Sequence, residues 1–253
     1  MRLASWGADV LDVLLPAGCI ACRTWIPGGR NAPLVCARCT SLLRTAPWPR
    51  CERCHYPRGT GRAESAGCFQ CTDWSPSLTT ARFAYVLAPP ADDLVHALKY
   101  EGWPELASVM GDALARLRVS EPPSAGSRKV VVPVPTTEER MRSRGYNQAE
   151  LLARRLAQVR DLPLYNALER PGARHSQTAL TPAERRENVR SAFQAARDPA
   201  GPIQGAHVLL VDDVLTTGAT ASEAASVLAG MGAETVTLLT YGRALAEAPQ
   251  KRR

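Results

Sequence analysis

The sequence predicts an α/β protein with a doubly wound, largely parallel sheet, preceded by a small cysteine-rich module. Two observations predict this organisation. All eight cysteines lie between Cys19 and Cys71, and strand patterns alternate with helical patterns beyond residue 78. Such alternation is typical of a parallel sheet, because each crossover lays a helix over one face of the sheet. We therefore expect the cysteine-rich module at residues 1–78 and the sheet domain at residues 79–253.

The size and composition of the chain are those of an ordinary globular protein. Its 253 residues suffice for one sizeable core plus a smaller module. No apolar run approaches the roughly 20 residues that a membrane-spanning helix needs. Residues 3–15 predict a short amphipathic helix and not a signal peptide, so we expect a cytoplasmic protein without a membrane span.

The cysteines form four Cys-x-x-Cys pairs in a tandem repeat with a period of 32 residues. In each repeat 13 residues separate the two pairs, which is the spacing of a zinc ribbon, and four thiolates complete a tetrahedral zinc shell. The two sets are Cys19, Cys22, Cys36 and Cys39, and Cys51, Cys54, Cys68 and Cys71. Repeat symmetry favours one structural Zn²⁺ per repeat, and the spacing leaves a crossed arrangement open.

Three other uses of the cysteines agree less well with this pattern. Cys51-Glu-Arg-Cys54-His55 matches the haem-attachment pattern, but haem there would leave Cys68 and Cys71 without a role. A disulfide framework has no signal peptide to support it. Redox chemistry needs one activated pair and not four pairs in register.

Hydrophobic periodicity defines the elements that follow the cysteines. In chain order we predict a strand over 81–88, a helix over 92–100, a helix over 105–117, a loop over 121–128, a strand over 129–134, a helix through Leu151, Leu152 and Leu156, and a short strand over 162–166.

Residues 208–220 are the most informative segment of the chain. Residues 208–211 are all branched aliphatics and predict a buried strand, which ends in the carboxylates Asp212 and Asp213. The turn Thr216-Thr217-Gly218-Ala219-Thr220 then leads into an Ala-rich helix over 221–231. Free N–H groups at a helix N-terminus suit a phosphate, and the two acids suit ribose hydroxyls or a magnesium ion. The segment therefore predicts a site for a ribose 5-phosphate at the carboxyl end of a strand.

Two other interpretations of this segment are less consistent with the sequence. Response-regulator domains also carry a hydrophobic strand that ends in two acids, but their phosphoacceptor Asp lies on a later strand. No Asp follows Asp213 in this chain. A solvated turn without a ligand would need neither the paired acids nor the run of small and hydroxyl residues.

Positive charge is concentrated between residues 140 and 197, a segment that contains twelve arginines and five acidic residues. Such a segment suits the phosphates of a nucleotide sugar or of a nucleic acid, although several arginines, Arg154 and Arg155 among them, are expected on solvated helix faces. The aromatic residues in this segment are Tyr146, Tyr165 and Phe193. So few aromatics argue against a strong base-stacking platform, so nucleic-acid binding by this segment should be salt-sensitive and weakly sequence-selective.

In this order, the motifs resemble the ComF family of competence-associated, phosphoribosyltransferase-like proteins. The matching segments are Leu98-Lys-Tyr-Glu-Gly102, Val132-Pro-Val-Pro135, Arg144-Gly-Tyr-Asn-Gln-Ala-Glu-Leu-Leu-Ala153, Gln177-x-x-Leu180 through Arg185-x-x-Asn188 to Ala192-Phe193, and residues 208–220. The cysteine repeat resembles the double zinc ribbon often found at the N-terminus of this family. The loop at residues 170–176 departs from the family pattern, which usually has basic residues followed by Thr.

The resemblance implies a type I phosphoribosyltransferase-like fold with a role for each motif. Asp212 and Asp213 would bind the ribose hydroxyls of phosphoribosyl pyrophosphate (PRPP), which Mg²⁺ accompanies, and residues 216–220 would bind its 5-phosphate. Residues 99–102 resemble the pyrophosphate loop, with Lys99 facing the leaving group, although a helix C-terminus with a capping Gly would use the same residues. Residues 170–190 resemble the flap over PRPP, in which Arg174, Arg185 or Arg186 would neutralise pyrophosphate.

Two functions follow from the resemblance. The first is a protein that binds PRPP or another nucleotide sugar phosphate and handles single-stranded DNA during DNA uptake, with other DNA-uptake proteins as partners. The alternative is an active phosphoribosyltransferase that acts on an unidentified base or amine. The sequence shows no base for a nucleophile and no purine or pyrimidine pocket, so it leaves turnover open.

Overall fold

The computed structural model describes residues 17–58, 67–121, 124, 126–171, 192–196 and 203–245. In the cysteine-rich module, a turn of 3-10 helix spans Gly29–Asn31 and helix α1 spans Ala37–Leu42. The elements of the sheet domain are β1 (Leu78–Val86), α2 (Ala91–Tyr100), α3 (Leu106–Ala115), β2 (Lys129–Pro133), α4 (Glu138–Arg144), α5 (Gln148–Arg160), β3 (Leu168–Glu169), β4 (Gln194–Ala195), β5 (His207–Leu215), α6 (Ala219–Gly230) and β6 (Thr235–Arg243).

The main sheet has four parallel strands in the order β1-β6-β5-β2. Helices α2, α3 and α5 bury their apolar residues against one face, and α6 covers the other. Strand β5 lies inside the sheet, and the residues from His207 to Val211 are all buried, which explains their uninterrupted apolar run. Strands β3 and β4 form a separate antiparallel pair. The predicted doubly wound, parallel sheet behind a cysteine-rich module is confirmed.

Several element boundaries differ from the sequence prediction because strand pairing extends beyond the apolar runs. Strand β5 continues through both acids, since Asp212 pairs with Thr240 and Leu215 pairs with Arg243 in β6. Helix α6 begins at Ala219, so the last two residues of the predicted turn belong to its first helical turn. Strand β1 likewise begins at Leu78, earlier than predicted.

Other elements differ in kind from the prediction. The strand predicted over 162–166 is an isolated bridge between Leu164 and Val131. Helices α1 and α4 and the β3–β4 pair were not predicted, because short elements carry too few residues for a clear period. Strand β6 has nine residues and was not predicted either, because the buried polar residues Thr237, Thr240 and Arg243 interrupt its apolar pattern.

The cysteine-rich module shares its core with the sheet domain. Cys51, Cys54 and Trp74 lie in one buried cluster with residues of β2, β5, β6 and α6. Cys19 and Ile20 lie in the cluster formed by α2, α3 and α5. The domain boundary after residue 78 stays a prediction. The two shared clusters would cross this boundary.

The N-terminal helix predicted over 3–15 and the flap residues Arg174, Arg185 and Arg186 lie outside the described residues. Within the part of the chain that is described, no helix combines the length and apolar character required to cross a bilayer.

Candidate functional site

The two acids of β5 meet the predicted pyrophosphate loop at the carboxyl end of the sheet. Lys99 lies in the last turn of α2, and its Nζ is 2.8 Å from Asp213 Oδ1. The backbone N–H of Asp213 donates to Asp212 Oδ1 at 2.8 Å. The fold therefore places Lys99 against the acid pair, although more than a hundred residues separate them in the sequence.

The end of α2 is also a capped helix terminus, as the second interpretation of residues 99–102 predicts. The C-cap residue Glu101 donates its N–H to Ala97 O, and Gly102 follows with a left-handed φ of 71°. Arg23 of the first cysteine repeat forms an ion pair with Glu101. The helix-terminus interpretation therefore describes this segment, and the role of residues 99–102 as a pyrophosphate loop stays a prediction.

The acid pair has a charge that changes near neutral pH. Burial raises the pKa of Asp212 to about 7, and the Asp213 carboxylate beside it raises the pKa as well. Lys99 and Arg170 oppose this shift by stabilising the charged form. The pair can therefore accept hydrogen bonds from hydroxyl groups once the pH exceeds the pKa of Asp212.

The turn after β5 ends in a glycine, so the N-cap residue of helix α6 has no side chain of its own to cap the helix. Gly218 is the N-cap residue, has a left-handed φ of 85° and makes no side-chain hydrogen bond to the helix. Within the turn, Thr217 Oγ1 accepts from the N–H of Ala219 at 3.4 Å. The first N–H groups of a helix have no partner inside the helix, so this turn presents backbone donors suited to an anion.

A cavity of about 300 Å³ joins these groups. Its charged or hydroxyl-bearing lining residues include Lys99, Arg140, Arg144, Arg170, Asp212, Asp213 and Thr220. Carboxylates at the end of β5 thus face a cavity that also holds arginines from the basic segment. This combination suits a ligand that carries both hydroxyl groups and several phosphates.

The Arg144-Gly-Tyr-Asn segment, to which the sequence analysis assigned no role, builds one wall of this cavity. The Arg144 guanidinium lies 4.8 Å from the centre of the Tyr100 ring. Tyr146 Oη donates to Leu98 O at 2.6 Å, and Asn147 Nδ2 donates to Val134 O at 3.1 Å. Asn147 also caps α5 through its side-chain oxygen. The segment therefore ties the end of α2 to the end of β2, a role that only long-range contacts reveal.

The cysteines gather into two clusters, one from each repeat, and the ligand sulfurs within each cluster lie within 4.8 Å of one another. The Sγ atoms of Cys22 and Cys36 are 3.8 Å apart, and those of Cys54 and Cys68 are 3.6 Å apart. Tetrahedral zinc with Zn–S bonds of about 2.3 Å requires S···S distances of about 3.8 Å. Both clusters therefore fit a zinc ion, and each is assembled within a single repeat, as repeat symmetry predicts.

Charge also favours a cation in the second cluster. Burial raises the pKa of the Cys54 thiol, and the sulfurs of the three neighbouring cysteines raise it further. Four thiolates cannot be accommodated there without a compensating cation, which a zinc ion would provide.

A buried arginine faces the same cluster. Arg243 at the end of β6 is fully buried, and its Nη2 donates to Gln70 Oε1 at 3.0 Å. Burial lowers the pKa of Arg243, and the sulfurs of Cys54, Cys68 and Cys71 oppose that effect. Nε and Nη1 have no hydrogen-bond partner within the described part of the chain. A zinc ion with four thiolates keeps a net negative charge, so it would compensate this guanidinium.

Exposed aromatic rings lie on the cysteine-rich module, outside the basic segment of residues 140–197. Trp48 and Phe69 are each 74% exposed. The Arg50 guanidinium lies 4.8 Å from the centre of the Trp48 ring. Such a ring beside a cation is a suitable surface for stacking a nucleobase.

Comparison with curated proteins finds relatives along nearly the whole chain. It is 30% identical to DNA utilization protein YhgH of Escherichia coli O157:H7, over 91% of this chain and 99% of that protein. It is 27% identical to competence protein F of Haemophilus influenzae, over 89% of this chain and 96% of the relative. Competence protein ComFC of Bacillus subtilis is also 27% identical, over 78% of this chain and 79% of its own length.

A solved structure of a hypoxanthine phosphoribosyltransferase from Staphylococcus aureus is similar with a TM-score of 0.30 and 14% identity, covering 58% of this chain and 76% of the other. No protein-family model matches the chain. The identity to DNA utilization protein YhgH extends over almost the full length of both proteins. The chain, with its parallel sheet and two four-cysteine clusters, therefore belongs to the ComF family of competence-associated proteins.

Proposed function

We propose that this protein binds PRPP, or another nucleotide sugar phosphate, together with Mg²⁺ at the carboxyl end of β5. The observation that carries the proposal is the Asp212–Asp213 pair, with Lys99 Nζ 2.8 Å from Asp213 Oδ1, in one cavity with Thr220 and three arginines. Paired acceptors suit a sugar diol, and the neighbouring cations suit phosphates. A phosphorylated ribose carries both a diol and phosphate groups, so it fits this arrangement at the carboxyl end of a strand.

Each group has a defined task in this proposal. Asp212 and Asp213 accept hydrogen bonds from the ribose hydroxyls, and the N–H groups at the start of α6 bind the 5-phosphate. Lys99 and Arg144 stabilise the pyrophosphate. Mg²⁺ prefers oxygen ligands and would neutralise pyrophosphate oxygens when bound with PRPP. The roles of the flap residues Arg174 and Arg185 stay predictions.

The alternative function is phosphoribosyl transfer. In that reaction the bond between ribose C1 and the pyrophosphate oxygen breaks, a bond from C1 to the acceptor nitrogen forms, and the acceptor loses a proton. The protein would contribute by orienting the ribose and stabilising the departing pyrophosphate. The acid pair and the turn at residues 216–220, which we call the phosphate turn, favour this alternative. Pyrophosphate release measured against a panel of bases and amines separates an active transferase from a binding scaffold.

Calorimetry with PRPP and Mg²⁺ tests the site directly. We expect the double substitution Asp212→Asn/Asp213→Asn to weaken binding at least about 100-fold, because a hydrogen bond to a charged group contributes about 1.5–3 kcal/mol. Asp161→Asn is a matched control, since Asp161 is exposed at the end of α5 and adopts a left-handed conformation that Asn tolerates. Equal binding by the wild type and the double variant would remove the site assignment.

We also propose that the protein handles single-stranded DNA in the cytoplasm, with other DNA-uptake proteins as partners. The relatives named as DNA utilization and competence proteins motivate this proposal. The basic segment and the exposed rings of Trp48 and Phe69 support it. A reducing compartment also suits cysteines that bind zinc as thiolates.

Binding of a fluorescent single-stranded oligonucleotide tests this second proposal. We expect the affinity to fall at least tenfold between 50 mM and 200 mM salt, which follows from the release of counterions when about two or more phosphates are neutralised. Trp48→Ala should weaken binding about 5- to 100-fold, because stacking contributes about 1–3 kcal/mol per base. The same sequence as a duplex serves as the control. No affinity at low salt, or affinity independent of salt, would contradict the proposal.

A further inference from the structure

Trp74 connects the second cysteine cluster to the phosphate turn. Its side chain is buried, and its Nε1 donates to Thr217 O at 2.7 Å. The ring also lies directly against Gly218, where an added Cβ would come within 2.4 Å of the indole. Gly218 is therefore required twice, once by its left-handed backbone and once by the ring that packs on it.

The contact controls how the turn presents its backbone. A peptide unit is planar and trans, so its C=O and N–H groups point in opposite directions. Because Trp74 holds the carbonyl of Thr217, the N–H of Gly218 in the same peptide unit is directed away from the tryptophan. Gly218 is the N-cap of α6 and receives no side-chain cap, so this external contact orients the first amide of the helix N-terminus.

Arg53 holds the segment that carries Trp74. It lies between Cys51 and Cys54. Its guanidinium donates to four carbonyl oxygens, Cys71 O at 2.9 Å, Trp74 O at 3.5 Å, Ser75 O at 2.8 Å and Leu78 O at 2.9 Å. The same guanidinium lies 5.7 Å from the centre of the Trp74 ring. The backbone from the last cysteine to the start of β1 is thus anchored by a residue inside the cysteine pair.

A second contact joins this segment to α6 independently of the indole. The N–H of Ser75 donates to Ser222 Oγ at 2.5 Å, and Ser226 Oγ donates to Ser75 Oγ at 2.8 Å. Helix α6 is therefore held along its first two turns by residues that follow the second cysteine cluster.

We propose that Trp74 is a positioning residue for the phosphate turn, and that the second cysteine cluster sets the conformation of Thr217 and Gly218 through Arg53 and Trp74. The consequence for ligand affinity rests on the proposed binding of PRPP at this turn. Trp74 acts through the turn and not as a catalytic residue. The cysteine-rich module is then a structural part of the ribose-phosphate site.

Hydrogen–deuterium exchange on the zinc-loaded full chain tests the proposal. Trp74→Phe keeps an aromatic ring at this position but removes the indole N–H. We therefore expect the amides of residues 216–220 to exchange about five- to tenfold faster. The affinity for PRPP with Mg²⁺, measured by calorimetry, should fall by a similar factor. Trp25→Phe is the matched control, because Trp25 is 61% exposed in the first repeat, and both readouts should stay at wild-type values.

Arg53→Gln is a second variant that should also speed exchange at residues 216–220. It removes the guanidinium that anchors the backbone between Cys71 and Leu78 but leaves the indole of Trp74 intact. Unchanged exchange at residues 216–220 in both folded variants would overturn the positioning role. If the variants exchange faster and the wild type itself does not bind PRPP, the positioning role is supported and the proposed function is contradicted. Faster exchange with unchanged PRPP affinity would overturn the link between the cysteine cluster and the site.

Discussion

Removal of zinc is expected to lower the melting temperature of the whole protein in one cooperative transition, and not to unfold the cysteine-rich module alone. Cys51, Cys54 and Trp74 share a buried cluster with β2, β5, β6 and α6. Because the module contributes to a common core, unfolding it would expose apolar surface of the sheet. The same event would leave the buried Arg243 without a compensating charge.

The expected size of the effect follows from that arginine. Leaving one member of a buried charge pair uncompensated costs about 3–5 kcal/mol. In a chain of this length, such a loss lowers the melting temperature by about 6–20 °C. Scanning calorimetry before and after chelation measures this fall in melting temperature. A metal analysis of the untreated protein should find two zinc ions per chain.

Two cysteine substitutions provide a matched comparison. Cys54→Ser affects the buried cluster beside Arg243, whereas Cys22→Ser affects an exposed ligand of the first cluster. We expect the larger loss of stability for Cys54→Ser. Two separate transitions, with the sheet domain unchanged, would instead show that the chain divides near residue 78. Protein purified without chelators that contains no metal, or contains disulfides, would contradict the zinc assignment.

Affinity for PRPP with Mg²⁺ should rise about tenfold per pH unit below pH 7 and level off above it. The cause is Asp212, because burial and the neighbouring Asp213 raise its pKa to about 7. Below that pH the carboxyl group is protonated and accepts hydrogen bonds poorly, so binding improves as the pH rises through the pKa. Titration by calorimetry from pH 5.5 to 8.5 measures the slope. Asp212→Asn is the control, because it has no carboxyl group at this position. The pH dependence that remains in this variant reports ionisation of the ligand, and the contribution of the protein should be absent.

Lys99→Met should both weaken binding and shift this pH dependence upwards. Lys99 stabilises the charged acid pair, so its removal raises the pKa of Asp212 further and moves the midpoint to higher pH. Loss of a charged donor should also reduce affinity about 10- to 100-fold at pH 8. Lys129→Met is the control, because Lys129 lies at the other end of the sheet and pairs with Glu121 at 2.7 Å. Wild-type binding by Lys99→Met would mean that Lys99 is a helix-terminal residue only.

The sequence by itself determined the features that are encoded in short stretches. The cysteines lie in Cys-x-x-Cys pairs within one repeat, so their spacing together with the repeat symmetry predicted both clusters. Asp212, Asp213 and the turn that follows are nearly contiguous, and a strand followed by a helix places them at the carboxyl end of a sheet. The alternation of strands and helices likewise predicted the parallel fold. Periodicity and local turn chemistry are properties of a short window of residues, which is why they can be read without a structure.

The tertiary structure decided which distant residues share the site. Lys99 meets Asp213, Trp74 meets Thr217, and Arg243 faces the second cysteine cluster only because the strands are ordered β1-β6-β5-β2. Strand β5 continues through its two acids because β6 supplies backbone partners there, which overrides the polarity of those residues. Strand order and buried charge compensation depend on contacts between segments far apart in the chain, and no local pattern specifies them.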